Sequence, residues 1–300
     1  MENRKRSLRV SARLVLIATL ICIGVGIAHG QASLTTINLN SGWKFRQADK
    51  KEWYSAIVPG CVHTDLLSNK LIDDPFYRDN EKRLQWIGKT DWEYQTTFNV
   101  SADLLRRRNI EVVFHGLDTY ANVSLNDAPV LSADNMFRTW RVDVKKFLKP
   151  GQNILRIKFR SPINEILPIM AKLDYELPAS NDQGEKTSPY TRKAPYQYGW
   201  DWGPRFVTSG IWKPVELVAW DDARIDDLHI KQNFLSNQKA DLTAAVEVIA
   251  SSPATAMMEL EDVNDKKVTA SKRVNLTVGS NHLEIPFTIA NPRLWYPVGY

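Results

Sequence analysis

From about Ser33 to Ala219 apolar and polar residues alternate with period two. Ala121, Val123 and Leu125 fall on one face of such a run and Asn122, Ser124 and Asn126 on the other. Trp140, Val142 and Val144 repeat the pattern against Arg141, Asp143 and Lys145, as do Leu155, Ile157 and Phe159 against Arg156, Lys158 and Arg160. Each run predicts a strand with one dry face and one wet face, the habit of antiparallel sheets. Lys149-Pro150-Gly151-Gln152-Asn153 supplies the turn between the last two. No segment sustains a long helical period. A short helix is expected over Glu165–Leu173 and a single turn over Asp65–Asn69. Many short strands with turns between them predict an all-β chain, with a jelly-roll sandwich over residues 33–221.

Past Trp220-Asp221-Asp222 the alternation resumes, with Leu242, Ala244, Val246 and Val248 in one strand and Leu283, Ile285, Phe287 and Ile289 in another. An immunoglobulin-like sandwich is expected over residues 222–300. Such a domain takes roughly 100 residues and about 80 remain, so it is expected to be incomplete, with an open sheet edge.

Residues 1–30 read as a secretory signal peptide. A basic start (Arg4, Lys5, Arg6, Arg9, Arg13) precedes an apolar run from Leu14 to Ile27, and Ala28-His29-Gly30 places small residues at the cleavage positions. The run is too short for a membrane span, which needs roughly 20 residues. Export to a periplasmic, secreted or lysosomal destination follows, with no membrane attachment after cleavage. The leader carries five basic residues and one acidic one, so its removal takes the formal charge from +5 to +1. No basic stripe is left for nucleic acid. With Cys22 removed, Cys61 is the one thiol, and no intrachain disulfide can form.

Residues 174–210 break the rhythm. They hold breakers at Asp174, Pro178, Asn181, Gly184, Pro189, Pro195, Gly199, Gly203, Pro204 and Gly210, and five aromatic residues run from Tyr190 to Trp202. A loop of that length in a compact domain is usually functional or disordered, and the aromatic residues count against disorder. Within it lies Tyr196-Gln197-Tyr198-Gly199-Trp200-Asp201-Trp202-Gly203-Pro204-Arg205. Two indoles around a carboxylate offer what a sugar needs: flat rings for its C–H faces and a charged acceptor for its hydroxyls. The competing reading makes the tryptophans loop-anchoring core and pairs Asp201 with Arg205. The residues alone leave both open. There is no phosphate-cradling glycine loop, no CxxC and no HExxH, so neither cofactor nor metal is expected. His63 and His115 read as structural.

Several long, collinear motifs resemble the front of the β-mannosidases of glycoside hydrolase family 2. They are Asn40 to Phe45, Val58 to Leu66, Asp74 to Glu81, Asp91 to Tyr94, Phe114 to Thr119, Gly199 to Arg205, Ser209 to Trp212 and Pro292 to Pro297. The resemblance implies a sugar-binding-like jelly roll and an immunoglobulin-like domain, followed by a (β/α)8 barrel. The barrel would carry two catalytic glutamates roughly 5–5.5 Å apart, working by the retaining mechanism on terminal non-reducing β-D-mannose. No glutamate of this chain matches either, so the 300 residues alone are expected to be inactive. The residues that carry over are Trp200, Asp201 and Trp202, as a loop that contacts the mannosyl unit at the barrel mouth. Asn80 and Arg205 would help to shape it. The expected partners are a β-mannoside oligosaccharide or glycan and the barrel. The alternative is a stand-alone carbohydrate-binding module or lectin-like protein.

Overall fold

The computed structural model describes residues 10–17, 29–31, 34–262 and 267–299, the first two segments through their backbone pairing alone. Of the expected leader, residues 1–9 and 18–28 lie outside the described residues.

The strands in chain order are β1 (Val10–Ile17), β2 (His29–Gln31), β3 (Thr35–Asn38), β4 (Lys44–Gln47), β5 (Tyr54–Ser55), β6 (Trp92–Val100), β7 (Asn109–Phe114), β8 (Tyr120–Leu125) and β9 (Ala128–Asp134). They continue with β10 (Trp140–Asp143), β11 (Gly151–Arg160), β12 (Val215–Trp220), β13 (Ala223–Leu235), β14 (Lys239–Ala250), β15 (Ala254–Asp262), β16 (Val268–Leu276) and β17 (Gly279–Ala290). Four short helices interrupt them: α1 (Val62–Ser68), α2 (Asn80–Arg83), α3 (Ala102–Leu105) and α4 (Pro162–Met170). The chain divides into two compact units, residues 35–219 and residues 220–300 together with the first 34.

Residues 35–219 form a sandwich of a six-stranded antiparallel sheet, in the order β5-β4-β6-β11-β8-β9, and a four-stranded sheet, β10-β7-β12-β3. The strand pattern holds residue by residue. Leu155, Ile157 and Phe159 of β11 face Ala121, Val123 and Leu125 of β8 across the ladder, and all six are buried. Val112 and Phe114 of β7 and Val215 and Leu217 of β12 complete the core from the other sheet. Burying each such side chain contributes about 1.5–3 kcal/mol.

Two helices start earlier than their sequence suggests. α4 begins at Pro162, where proline costs no hydrogen bond, and the Ser161 hydroxyl caps it by accepting from Asn164 N–H at 3.1 Å. α1 begins at Val62 and carries Asp65 into the core. Asp65 accepts from Ile57 N–H at 2.9 Å and from the Tyr94 hydroxyl at 2.8 Å, which lets a buried carboxyl be tolerated. Burial nevertheless raises its pKa, against the lowering effect of those two donors.

In the second unit β13-β14-β17 form one antiparallel sheet and β16-β15-β1-β2 the other. Ala244, Val246 and Val248 of β14 and Ile285 of β17 face a small core with Met258, Leu260 and Val274. Val10–Ile17 runs antiparallel to β15 along its whole length, so β15 is paired on both sides. Residues 291–299 form no strand, and Trp295 lies exposed within them.

Candidate functional site

The loop over 174–210 contains only two short 3₁₀ turns, Ser188–Tyr190 and Pro195–Tyr198, yet it is held firmly to the sandwich. Lys193 is fully buried and its ammonium donates to Asp118 Oδ1 at 2.6 Å and to the Thr208 carbonyl at 2.7 Å. Burial pulls the Lys193 pKa down, and Asp118 opposes that shift. Tyr198 packs with Ile163 and Val207 in a satellite core. Gly199 follows at φ +106°, where a Cβ would also lie 3.0 Å from the Asn181 carbonyl.

Beyond Gly199 the chain makes a closed four-residue turn. Trp200 N–H donates to Gly203 C=O at 3.1 Å and Gly203 N–H donates to Trp200 C=O at 3.3 Å. Asp201 and Trp202 form the tip. Trp200 is 43% exposed and Trp202 83%. Asp201 is exposed and bonds to no described residue. The loop-anchoring reading therefore fails on both counts: neither indole is core, and Asp201 does not pair with Arg205.

Arg205 has other partners. Its side chain is only 9% exposed and reaches Asp182 Oδ1 at 3.2 Å through Nε, Gln85 Oε1 at 2.6 Å through Nη1 and Glu185 Oε2 at 2.6 Å through Nη2. Its backbone N–H donates to Glu81 Oε1 at 2.7 Å, and its carbonyl accepts from Gln85 Nε2 at 2.8 Å. Glu185 also meets Lys89 at 2.6 Å. Burial alone would raise the Glu185 pKa, but Lys89 and Arg205 beside it hold the carboxyl below its usual range. Two cations, Arg205 and Lys89, thus meet three carboxylates, Glu81, Asp182 and Glu185.

Two clefts flank this segment. A polar one of about 480 Å³ is bounded by Trp200, Gly203, Arg205, Gln85, Lys82 and Asn181. An apolar one of about 320 Å³ lies among Phe76, Tyr196, Pro204, Phe206, Leu67 and His63. Trp200 lines the first, whereas Asp201 and Trp202 line neither. Asn80, buried, lines neither cleft; it donates to the Asp74 carbonyl at 2.7 Å and accepts from Arg83, fixing the 74–84 segment. His63 is buried with Nδ1 2.9 Å from Thr208 Oγ1, and burial together with the nearby Lys193 charge lowers its pKa to about 4. His115 bonds Glu216 at 2.9 Å. Among the described residues no group of three His, Cys, Asp or Glu is placed to hold a metal ion.

The family model for the glycosyl hydrolase 2 galactose-binding domain-like module matches residues 43–213, and that for glycosyl hydrolases family 2 matches 223–299. The chain belongs to glycosyl hydrolase family 2. Its similarity to family members runs through both modules. A β-mannosidase B from Thermothelomyces thermophilus is 35% identical over 276 residues, 90% of this chain and 31% of that protein. The Bos taurus β-mannosidase is 28% identical over 96% of this chain and 33% of its own length. The crystal structure of a β-D-mannosidase from Dictyoglomus thermophilum superposes with a TM-score of 0.79 at 36% identity, over 89% of this chain and 32% of that one. The chain thus spans about a third of the length of the relatives it matches.

Proposed function

We propose that this chain is the N-terminal portion of an exported, exo-acting, retaining β-mannosidase. In this reading the jelly roll presents Trp200, Asp201 and Trp202 to the terminal mannosyl unit at the mouth of a (β/α)8 barrel. Asp201 accepts hydrogen bonds from sugar hydroxyls, and the indoles wall the ring through its C–H faces. The bond-breaking glutamates, one an acid/base and one a nucleophile, belong to the barrel. None of the residues of this chain takes either role.

The observation that carries the reading is the tip of the 200–203 turn. An acceptor with no described partner stands beside an indole 83% exposed, on a turn closed by two backbone hydrogen bonds and followed by the tied-down Arg205. Preorganised acceptors and apolar rings left open to solvent are what a binding element offers. The family match to β-mannosidases supplies the sugar. Export is supported by the basic, apolar and small-residue stretches of residues 1–30.

A stand-alone carbohydrate-binding module is the second reading, favoured by the galactose-binding domain-like match over 43–213. Assaying the 300-residue chain beside the full-length enzyme separates the two. The enzyme reading expects aryl β-mannoside hydrolysis by the full-length form and none above background by the fragment. Turnover by the purified fragment, abolished by a substitution within it, would overturn that reading. Tight mannoside binding by a fragment whose longer form has no activity would favour the module.

A further inference from the structure

Arg205 stands only two residues beyond the end of the turn, and its guanidinium bonds to Asp182, Gln85 and Glu185 rather than to Asp201. Gln85 belongs to the 3₁₀ segment Gln85–Lys89, and Asp182 and Glu185 come from the long loop. Gly184 lies flat against the guanidinium, where an added Cβ would come within 2.5 Å of it. Both backbone groups of Arg205 are also tied down, to Glu81 and Gln85. Arginine's rigid planar fork fills three acceptors in three directions at once, which a lysine ammonium on a flexible stem cannot match. Asp182 and Glu185 pair directly with the guanidinium, so the nearly buried cation is compensated.

We propose that Arg205 is a positioning residue, one that touches no substrate but fixes the Trp200–Gly203 turn so that Asp201 is presented to the sugar. The inference rests on the reading of Asp201 as a sugar contact. Through Asp182 and Glu185 the two ends of the 181–205 segment are drawn together, and through Gln85 and Glu81 they are fastened to the α2 region. Gly199, inside that segment, is free to take its positive φ, and the turn follows directly from it. A 1 Å displacement of a positioned group is enough to cost about a hundredfold in rate.

A double-mutant cycle in the full-length enzyme tests this. Arg205→Lys is expected to lower kcat/KM for an aryl β-mannoside by about tenfold. Glu185→Gln, which keeps the shape and removes the charge, is expected to lower it by about threefold, and it serves where Arg205→Lys does not fold. Either change made on top of Asp201→Ala is expected to cost less than about twofold, because the group being positioned is gone. A clamp that merely stabilises the fold would lower activity by the same factor with or without Asp201, and that result overturns the inference while leaving the Asp201 contact standing. Unchanged kcat/KM in a folded Arg205→Lys enzyme also overturns it. A silent Asp201→Ala defeats the sugar-contact reading itself, and the inference with it.

Discussion

The Lys193 ammonium lies 2.6 Å from Asp118 Oδ1, and both side chains are shut off from water. This ion pair joins the centre of the long loop to the end of the sandwich. With the Thr208 carbonyl as a second acceptor, Lys193 also ties the loop to its own returning limb. Removing one partner of a buried pair leaves an uncompensated charge.

Lys193→Met is therefore expected to destabilise the jelly-roll unit by about 3–5 kcal/mol, although methionine fills similar volume. Denaturant unfolding followed by tryptophan fluorescence measures it. A loss within about 1 kcal/mol would mean the pair is solvated in solution.

His63 makes stability depend on pH. Its folded pKa is lowered to about 4 against an ordinary 6.5, so the folded state holds it neutral while the unfolded state takes up a proton. Its contribution is intact above pH 6.5 and is lost progressively as pH falls toward 4, about 3 kcal/mol in all. His63→Gln keeps a group able to bond Thr208 but cannot titrate. Between pH 7.5 and 4.5 the wild type should lose stability faster than this variant. Parallel pH profiles for the two would mean that His63 is not buried as described.

The strands were open to inspection because burial on one side of a sheet writes itself into alternate residues. Leu155, Ile157 and Phe159 could be assigned without any partner. The motif around Trp200 stood out by composition, and its exposure then removed the loop-anchoring alternative. What stayed hidden involves charges at long range. Lys193 is a charged residue in a polar loop, and nothing local says that Asp118, 75 positions upstream, waits for it. Arg205 invited pairing with Asp201, four residues away, but the closed turn points Asp201 outward and Asp182 takes its place, 23 residues upstream. The pairing of Val10–Ile17 with β15 was equally illegible, since its partner lies about 240 positions downstream and the apolar run from Leu14 onward carries no alternation.

That pairing bears on processing. Cleavage after about Gly30, as residues 1–30 predict, removes β1 and bares one edge of β15. Unpaired strand edges recruit other chains, so a purified 31–300 fragment is expected to self-associate at high concentration in sedimentation velocity. Intact-mass analysis of natively expressed protein is expected to find Met1 absent. A retained Met1 would defeat the export reading, and a monomeric fragment would mean the edge is protected by other means.

Asp201→Ala in the full-length enzyme asks whether the Asp201 carboxylate meets the sugar. The turn closes through backbone bonds and Asp201 is exposed, so the fold and melting temperature should be nearly unchanged. Charge-assisted hydrogen bonds to hydroxyls contribute about 1.5–3 kcal/mol each, so kcat/KM for a β-mannoside should fall by roughly ten- to several-hundred-fold. A kcat/KM within about twofold of wild type, in a variant that folds normally, would contradict the account.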